Sequence, residues 1–283
     1  MATITAALIK ELRDQTGAGM MDVKKALTEA EGDMDRAKEI IRAKGIQAAG
    51  AREGRKAQEG LIASAVVDVA EGQVAYAVEL NSETDFVSKT PQFVQLGDEV
   101  IADVAKADAS SVEEVEKAPS QAGTVHDTVE EAAALFHEHV KVGQFAKIQG
   151  PRVEIYSHRK SVEMPPSIVA IVATDEAGSA VAHEAALQIS AMNPKWLRRE
   201  DVPAEVIESE RRVATEKSQA EGKPEQIIPK IVEGRLNAFY KETVLLDQQY
   251  VKDPSKTVGD IFKEVGGQAL SFARLEVGKG EEE

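Results

Sequence analysis

Several stretches of this chain carry residue types that could do chemistry, and each lacks a partner that the chemistry needs. His183-Glu184 opens a zinc-protease pattern, which requires a second histidine one helical turn on. Position 187 is Leu. His137-Glu138-His139 sets its histidines at i and i+2, on different faces of a helix, a poor metal pair. Ser179, in Gly178-Ser179-Ala180, has no second glycine to form a nucleophile elbow. Gly17-Ala18-Gly19 lacks the third glycine of a dinucleotide fingerprint and follows no strand. No Gly-Lys-Ser/Thr loop is present to cradle phosphates. Carboxylates abound, with 49 Asp and Glu, but abundance in an acidic chain does not make a catalytic pair. The expectation is a protein that works without catalytic residues, metal or cofactor.

One further stretch points to contact rather than catalysis. Asn81-Ser82-Glu83-Thr84-Asp85-Phe86-Val87 follows the apolar run Val74 to Leu80, which reads as a buried strand. It precedes Pro91-Gln92-Phe93, which reads as a helix start. The segment is therefore expected to be a loop held at both ends by rigid elements. Phe beside Asp is unusual there, because loops face water and Phe prefers burial. Either Phe86 packs back onto its own core, or Phe86 and Asp85 project as an apolar and acidic probe for a partner.

The elements that position this loop can be traced along the chain. Ile4, Leu8 and Leu12 recur at helical spacing, with Thr5 able to cap the start and Gly17 and Gly19 interrupting the run. Met20, Met21, Val23, Ala26 and Leu27 mark a second helix. Asp33 caps a third, with Ala37, Ile40 and Ile41 on its face, and Gly45 is expected to stop it. Residues 1–45 thus read as a small three-helix domain with a thin core, suited to docking on a partner. Residues 46–60 read as a linker. Its neighbourhood holds Lys44, Arg52, Arg55 and Lys56, a patch expected to be solvated, as is His158-Arg159-Lys160.

Leu61 to Asp68 and Val74 to Leu80 form a β-hairpin around Glu71-Gly72. A helix over about 92–106 buries Phe93, Leu96, Val100, Ile101 and Val104. Ala107 to Gly123 reads as acidic, irregular and exposed, and Val125 to Val142 as helix. The pattern then repeats, with a hairpin of Arg152 to Ser157 and Ile168 to Thr174 and a helix from Ala180 to Met192. Pro203 to Ala220 and Pro224 to Tyr240 form an antiparallel helical hairpin. A helix near Thr257 to Val265 and an apolar run Leu270 to Val277 end the chain at a sheet edge. The expected class is α+β: residues 1–45 as a three-helix, ubiquitin-associated-like domain, then a core of two related hairpin-plus-helix halves. The halves are residues 61–142 and residues 143–283, the second carrying the inserted helical hairpin 203–240 and a C-terminal strand.

Composition narrows the function classes. The chain has 283 residues, 29% charged and 42% hydrophobic, ordinary for a soluble globular protein. Cysteine is absent, which removes disulfides and thiolate chemistry. No apolar stretch approaches bilayer-spanning length, and Met1 to Lys10 shows no secretory pattern, so a cytoplasmic protein without membrane contact is expected. A net charge of −15 disfavours direct nucleic-acid binding.

Four blocks together carry a resemblance. They are Leu12-Arg13-Asp14-Gln15-Thr16-Gly17-Ala18-Gly19-Met20-Met21-Asp22 through Leu27, then Thr84-Asp85-Phe86-Val87, then Glu221-Gly222-Lys223-Pro224 with Ile231 to Leu236, and Pro254 to Gly259. In this order they closely resemble the bacterial translation elongation factor Ts family, over nearly the whole chain. The resemblance implies a guanine nucleotide exchange factor that binds elongation factor Tu with GDP, displaces Mg²⁺ and promotes GDP release. It implies that Thr84, Asp85, Phe86 and Val87 disturb the partner's Mg²⁺ and phosphate site. Leu12, Met20 and Met21 would dock the N-terminal domain, and His158 would contact another domain of the partner. Val162-Glu163-Met164-Pro165-Pro166 departs from some members as an expanded hairpin turn. Homodimerisation through 203–240 is possible on the same resemblance. The alternative is a ubiquitin-associated-like protein-binding adaptor without exchange activity, which would not need Thr84 to Val87.

Overall fold

A computed structural model describes residues 4–16, 18–50, 52 and 54–280. Gly17, expected to interrupt the first helix, lies outside them. The chain opens with α1 (Ala6–Thr16), α2 (Met20–Glu29) and α3 (Met34–Gly50). Thr5 Oγ1 accepts from the Leu8 amide and Asp33 Oδ1 from the Arg36 amide, so both expected caps are made. Leu12, Val23, Ala26, Leu27, Ala37 and Ile40 form the bundle core.

Gly45 does not stop α3, which runs on to Gly50. A Cβ at Gly45 would lie 2.8 Å from Ala134 Cβ. The glycine serves a close helix crossing, and the good helix formers around it carry the helix through.

The core begins with β1 (Glu59–Val69) and β2 (Gly72–Ser82), paired antiparallel as a hairpin. A single helical turn α4 (Asp85–Ser88) follows, then α5 (Pro91–Ala107). Thr90 caps α5 and Pro91 starts it. The stretch expected to be irregular instead holds α6 (Val112–Lys117) and a short ladder of β3 (Pro119–Ser120) with β4 (Gly123–Thr124). Val115 there is fully buried, an apolar anchor masked by the glutamates around it.

Helix α7 (Val125–Phe136) ends six residues before the expected Val142, because His137 takes a left-handed conformation. The chain then forms β5 (Lys141–Gly150), a strand the sequence reading did not anticipate. It pairs with β2, so the first sheet runs β1-β2-β5. Residues 143–150, expected in the second half, thus pair with the sheet of the first.

The second half repeats the plan. Strands β6 (Arg152–Arg159) and β7 (Pro166–Thr174) form the hairpin, and α8 (Ala182–Met192) follows. Helices α9 (Ala204–Ala220) and α10 (Ile228–Thr243) form the hairpin insertion, packed through Ala214, Ile228, Val232 and Leu236. Val213, next to Ala214 on α9, is exposed. A ladder of β8 (Gln249–Tyr250) with β9 (Asp253–Thr257) leads into α11 (Val258–Glu264). The last strand, β10 (Ala269–Glu276), completes a sheet ordered β10-β7-β6. In both halves a two-stranded ladder precedes a helix with a Thr/Asp capping box, Thr124 with Asp127 and Thr257 with Asp260.

The two sheets face each other through Ile62, Ala75, Ala77, Val169, Ile171 and Leu275. Side chains alternate along a strand, so Val74, Tyr76, Val78 and Leu80 face the other way, onto α5 and α7. Ala170 and Val172 likewise face α8 and α11. The central strands β2 and β7 are covered on both faces, which explains their continuous apolar reading.

A bulge interrupts the β2–β5 ladder, where Val78 pairs with Phe145 but Leu80 with Val142. Buried Glu79 sits at this bulge. Its Oε1 accepts from Asn81 Nδ2 at 2.6 Å and the Gly278 amide at 2.7 Å. Its Oε2 accepts from the Gln144 amide at 3.0 Å and Gln144 Nε2 at 2.7 Å. Gly278 also lies against Gln58, whose carbonyl oxygen would be 2.5 Å from a Cβ there.

Candidate functional site

The segment expected to be a loop starts within β2 at Asn81 and Ser82, passes Glu83 and enters the single turn α4, with Thr84 at its N-cap position. Phe86 is 73% exposed, so it does not pack back onto the core. Val87 does, against the cluster under β1 and β2. Lys89 Nζ lies 4.6 Å from the Phe86 ring centre and 3.9 Å from Asp85 Oδ2. The turn thus presents an aromatic ring with a carboxylate beside it, above an anchored valine.

What holds this turn is the connection between α7 and β5. Glu138 Oε2 accepts from the Thr84 amide at 3.0 Å, and Glu138 Oε1 accepts from the Thr84 hydroxyl at 2.5 Å. In return, Glu83 Oε1 accepts from the His139 amide at 2.7 Å. That bond, with the positive charge of Arg55 nearby, holds the Glu83 carboxyl below its ordinary range. Arg55 lies 3.4 Å from Glu83, and its carbonyl is 2.7 Å from His139 Nδ1. Arg55, from the basic patch expected to be merely solvated, therefore joins the base of the turn. His137-Glu138-His139 is not helical, so the face argument used against it does not apply. It is a brace, and the sequence signal for it was a polar triplet directly after an apolar helix.

The other predicted residues are spread over the molecule. Met20 and Met21 are 60% and 64% exposed at the start of α2. Leu12 is fully buried and holds the bundle together instead of facing outward. His158 is exposed on β6, in the second sheet, with Tyr156 hydroxyl 3.4 Å from its Nδ1. The structure groups Thr84 to Val87 in one turn and does not bring His158 to it.

The residues considered for catalysis have other partners. His183 Nδ1 meets Glu154 Oε1 at 2.8 Å, and Ser179 Oγ donates to the Glu176 carbonyl at 2.7 Å. Among the described residues no group of three His, Cys, Asp or Glu could hold a metal ion. Among them, too, no helix is long and apolar enough to cross a membrane.

Residues 83–279 match the family model described as Elongation factor TS. The chain belongs to the elongation factor Ts family. An elongation factor Ts of Bifidobacterium animalis subsp. lactis is 76% identical over 282 residues, spanning 100% of this chain and 99% of its own length. One from Bifidobacterium longum is 74% identical over 283 residues, with both chains covered fully. One from Micrococcus luteus is 48% identical over 282 residues, covering 98% of this chain and 100% of its own. The family match begins at Glu83, the first residue of the braced turn, and the full-length relatives extend it over the helical bundle. Membership in the elongation factor Ts family places the protein in translation, as an elongation factor of protein biosynthesis.

Proposed function

We propose that this chain is the guanine nucleotide exchange factor for elongation factor Tu. It binds the GTPase in its GDP form, displaces Mg²⁺ and speeds GDP release so that GTP can enter. The observation that carries the reading is Phe86, exposed on a turn whose base is fixed by Glu138 and Glu83. Phe86 acts as the wedge, Asp85 holds the displaced elements, and Thr84 and Val87 seat the turn. Met20 and Met21 supply an adaptable apolar docking surface. Leu12 supports that surface from inside the bundle. His158 contacts a second domain of the partner. In this reading residues 1–45 dock, the first half carries the exchange turn, and the second half extends the contact. Self-association through residues 203–240 forms no part of it.

The physics is that of linked binding. A bound Mg²⁺ neutralises much of a diphosphate's charge, so small movements of its ligands weaken GDP binding. The factor by which this chain lowers GDP affinity equals the factor by which GDP lowers the chain's own affinity. No covalent bond is made or broken on this chain, so it acts as an exchange factor and not as an enzyme with catalytic residues. The adaptor alternative accounts for the bundle but leaves the braced turn without a task.

The test is stopped-flow release of fluorescent GDP from elongation factor Tu with increasing amounts of this chain. The expected result is a saturable rise in release rate that vanishes with Phe86→Ala. A release rate unaffected by native chain at micromolar concentration would sink the proposal.

A further inference from the structure

We infer that Glu138 is a positioning residue for exchange: its carboxylate, reciprocated by Glu83, fixes the backbone from which Phe86 projects. This rests on the exchange reading above. The argument starts from the weakness of α4. A single turn of four residues cannot hold itself, because isolated helices need roughly 12–15 residues to be even marginal. Its N-cap residue, Thr84, makes no capping bond with its side chain. The hydroxyl that would cap the turn donates to Glu138 instead.

Order in the turn therefore comes from outside it. Glu138 takes both the amide and the hydroxyl of Thr84, two bonds to an ionised acceptor on the residue that starts the turn. Ser82 Oγ donates to the Thr84 carbonyl at 3.0 Å, and Thr90 Oγ1 donates to the Val87 carbonyl at 2.8 Å. Glu83 and Glu138 each reach across to the other's segment, so neither segment can shift without breaking bonds on both. His137, left-handed, turns the chain out of α7 and aims Glu138 at the turn. Arg55 adds the linker from the bundle as a third strut.

A wedge transmits force only if its base resists. Without the brace, Phe86 still reaches the partner, but the turn yields instead of the partner's Mg²⁺ ligands. Docking through other surfaces continues. The expected signature is a lower maximal exchange rate at a similar half-saturating concentration.

The experiment compares native chain, Phe86→Ala, Glu138→Ala, Glu138→Gln, Thr84→Val and the Phe86→Ala/Glu138→Ala double variant in stopped-flow GDP release. Each is also checked for thermal unfolding, and the Thr84 amide is followed by hydrogen exchange in the free protein. Glu138→Ala is expected to lower the maximal rate about tenfold, the equivalent of one charged hydrogen bond. Its Thr84 amide should exchange at least about tenfold faster. Glu138→Gln keeps one acceptor oxygen and should recover part of the rate, and Thr84→Val should fall between. The double variant should be no slower than Phe86→Ala, because the brace acts only through the wedge. If Phe86→Ala is slow while Glu138→Ala keeps the native maximal rate, the inference is overturned and the wedge stands. Native protection of the Thr84 amide in Glu138→Ala overturns it too, whatever the partner does. If Phe86→Ala itself exchanges normally, the wedge reading has failed first.

Discussion

Glu79 is a buried carboxylate whose removal should destabilise the fold strongly. Each carboxylate oxygen accepts one side-chain donor and one backbone amide, from Gly278 on Oε1 and from Gln144 on Oε2. The side-chain donors have second acceptors. Asn81 Nδ2 lies 3.4 Å from the Glu59 carbonyl, and Gln144 Nε2 lies 2.7 Å from the Glu276 carbonyl. The two backbone amides have no other acceptor within the bulge. Glu79→Ala leaves both unsatisfied, at about 1–3 kcal/mol each, so roughly 4 kcal/mol is expected. Glu79→Gln has one carbonyl oxygen and one NH₂. Either orientation sets the NH₂ against a backbone N–H, so about half of that loss should remain. The assay is urea unfolding followed by the fluorescence of the single tryptophan, Trp196, which reports on the core and not on the bundle. With about 2–4 °C per kcal/mol for a chain of this size, melting should drop by roughly 8–16 °C for Ala. A loss below about 1 kcal/mol, or Gln matching native, would refute the account of the bulge.

Other outcomes follow from the same geometry. Phe86→Ala should cost no more than about 1 kcal/mol of stability, because a largely exposed ring has little burial to lose, against the roughly 3–5 kcal/mol of a core phenylalanine. Thermal melts of the two proteins should nearly overlay. Gly143→Ala should unfold easily, since a Cβ there would sit 2.4 Å from Asn81 Oδ1 and 2.7 Å from Glu79 Oε2; near-native melting would contradict this. Tyr76 is pushed up to about 12 by burial and by its hydrogen bond to Asp108. Its folded value is raised, so its contribution is complete below the free tyrosine pKa of about 10 and is lost as pH climbs toward 12. A phenolate absorbance titration of native against Tyr76→Phe should show the missing group ionising late. Glu83 is depressed, so its contribution is complete above the free carboxylate pKa of roughly 4.3 and fades as pH falls through its lower folded value. The protection of the His139 amide, measured against its intrinsic exchange rate at each pH, should fall in acid, and Glu83→Gln should remove that pH dependence.

The parts of this fold legible in the sequence were those with strong periodicity. Phe93, Leu96, Val100, Ile101 and Val104 recur on one face and are all buried in α5. The hairpins were legible because β2 and β7 carry long apolar runs, broken within residues 74–80 of β2 only by Glu79. Strand β5 was not, because Lys141, Gly143, Gln144, Lys147 and Gln149 interrupt its apolar residues and almost no residue in it is fully buried. Helix α6 hid behind its glutamates. The turn carrying Phe86 was found by its odd composition and by family blocks, but its brace lies 54 residues away in sequence, a distance no local pattern spans. Leu12 shows the opposite failure: a residue inside a signature block need not face outward, because a motif preserves support as well as contact.

The meeting of Gly278 with Gln58 has a consequence for how the chain could be rearranged. Ala57, Gln58, Gly278 and Gly280 line the same small cavity, so the core starts and finishes at one place on its surface. A core of this kind is a closed circuit, and its order of reading is set only by where the chain was cut. Joining residue 280 to residue 57 through a short spacer and reopening at Gly222, the tip between α9 and α10, would yield a circular permutant with every sheet pairing retained. The helical bundle is tied to the core at this same junction through the linker, and separately by the crossing of α3 with α7 at Gly45. Tension on the linker at residue 57 would therefore load the junction at Gly278 and the Arg55 strut together, so the start and the finish of the core share one mechanical anchor.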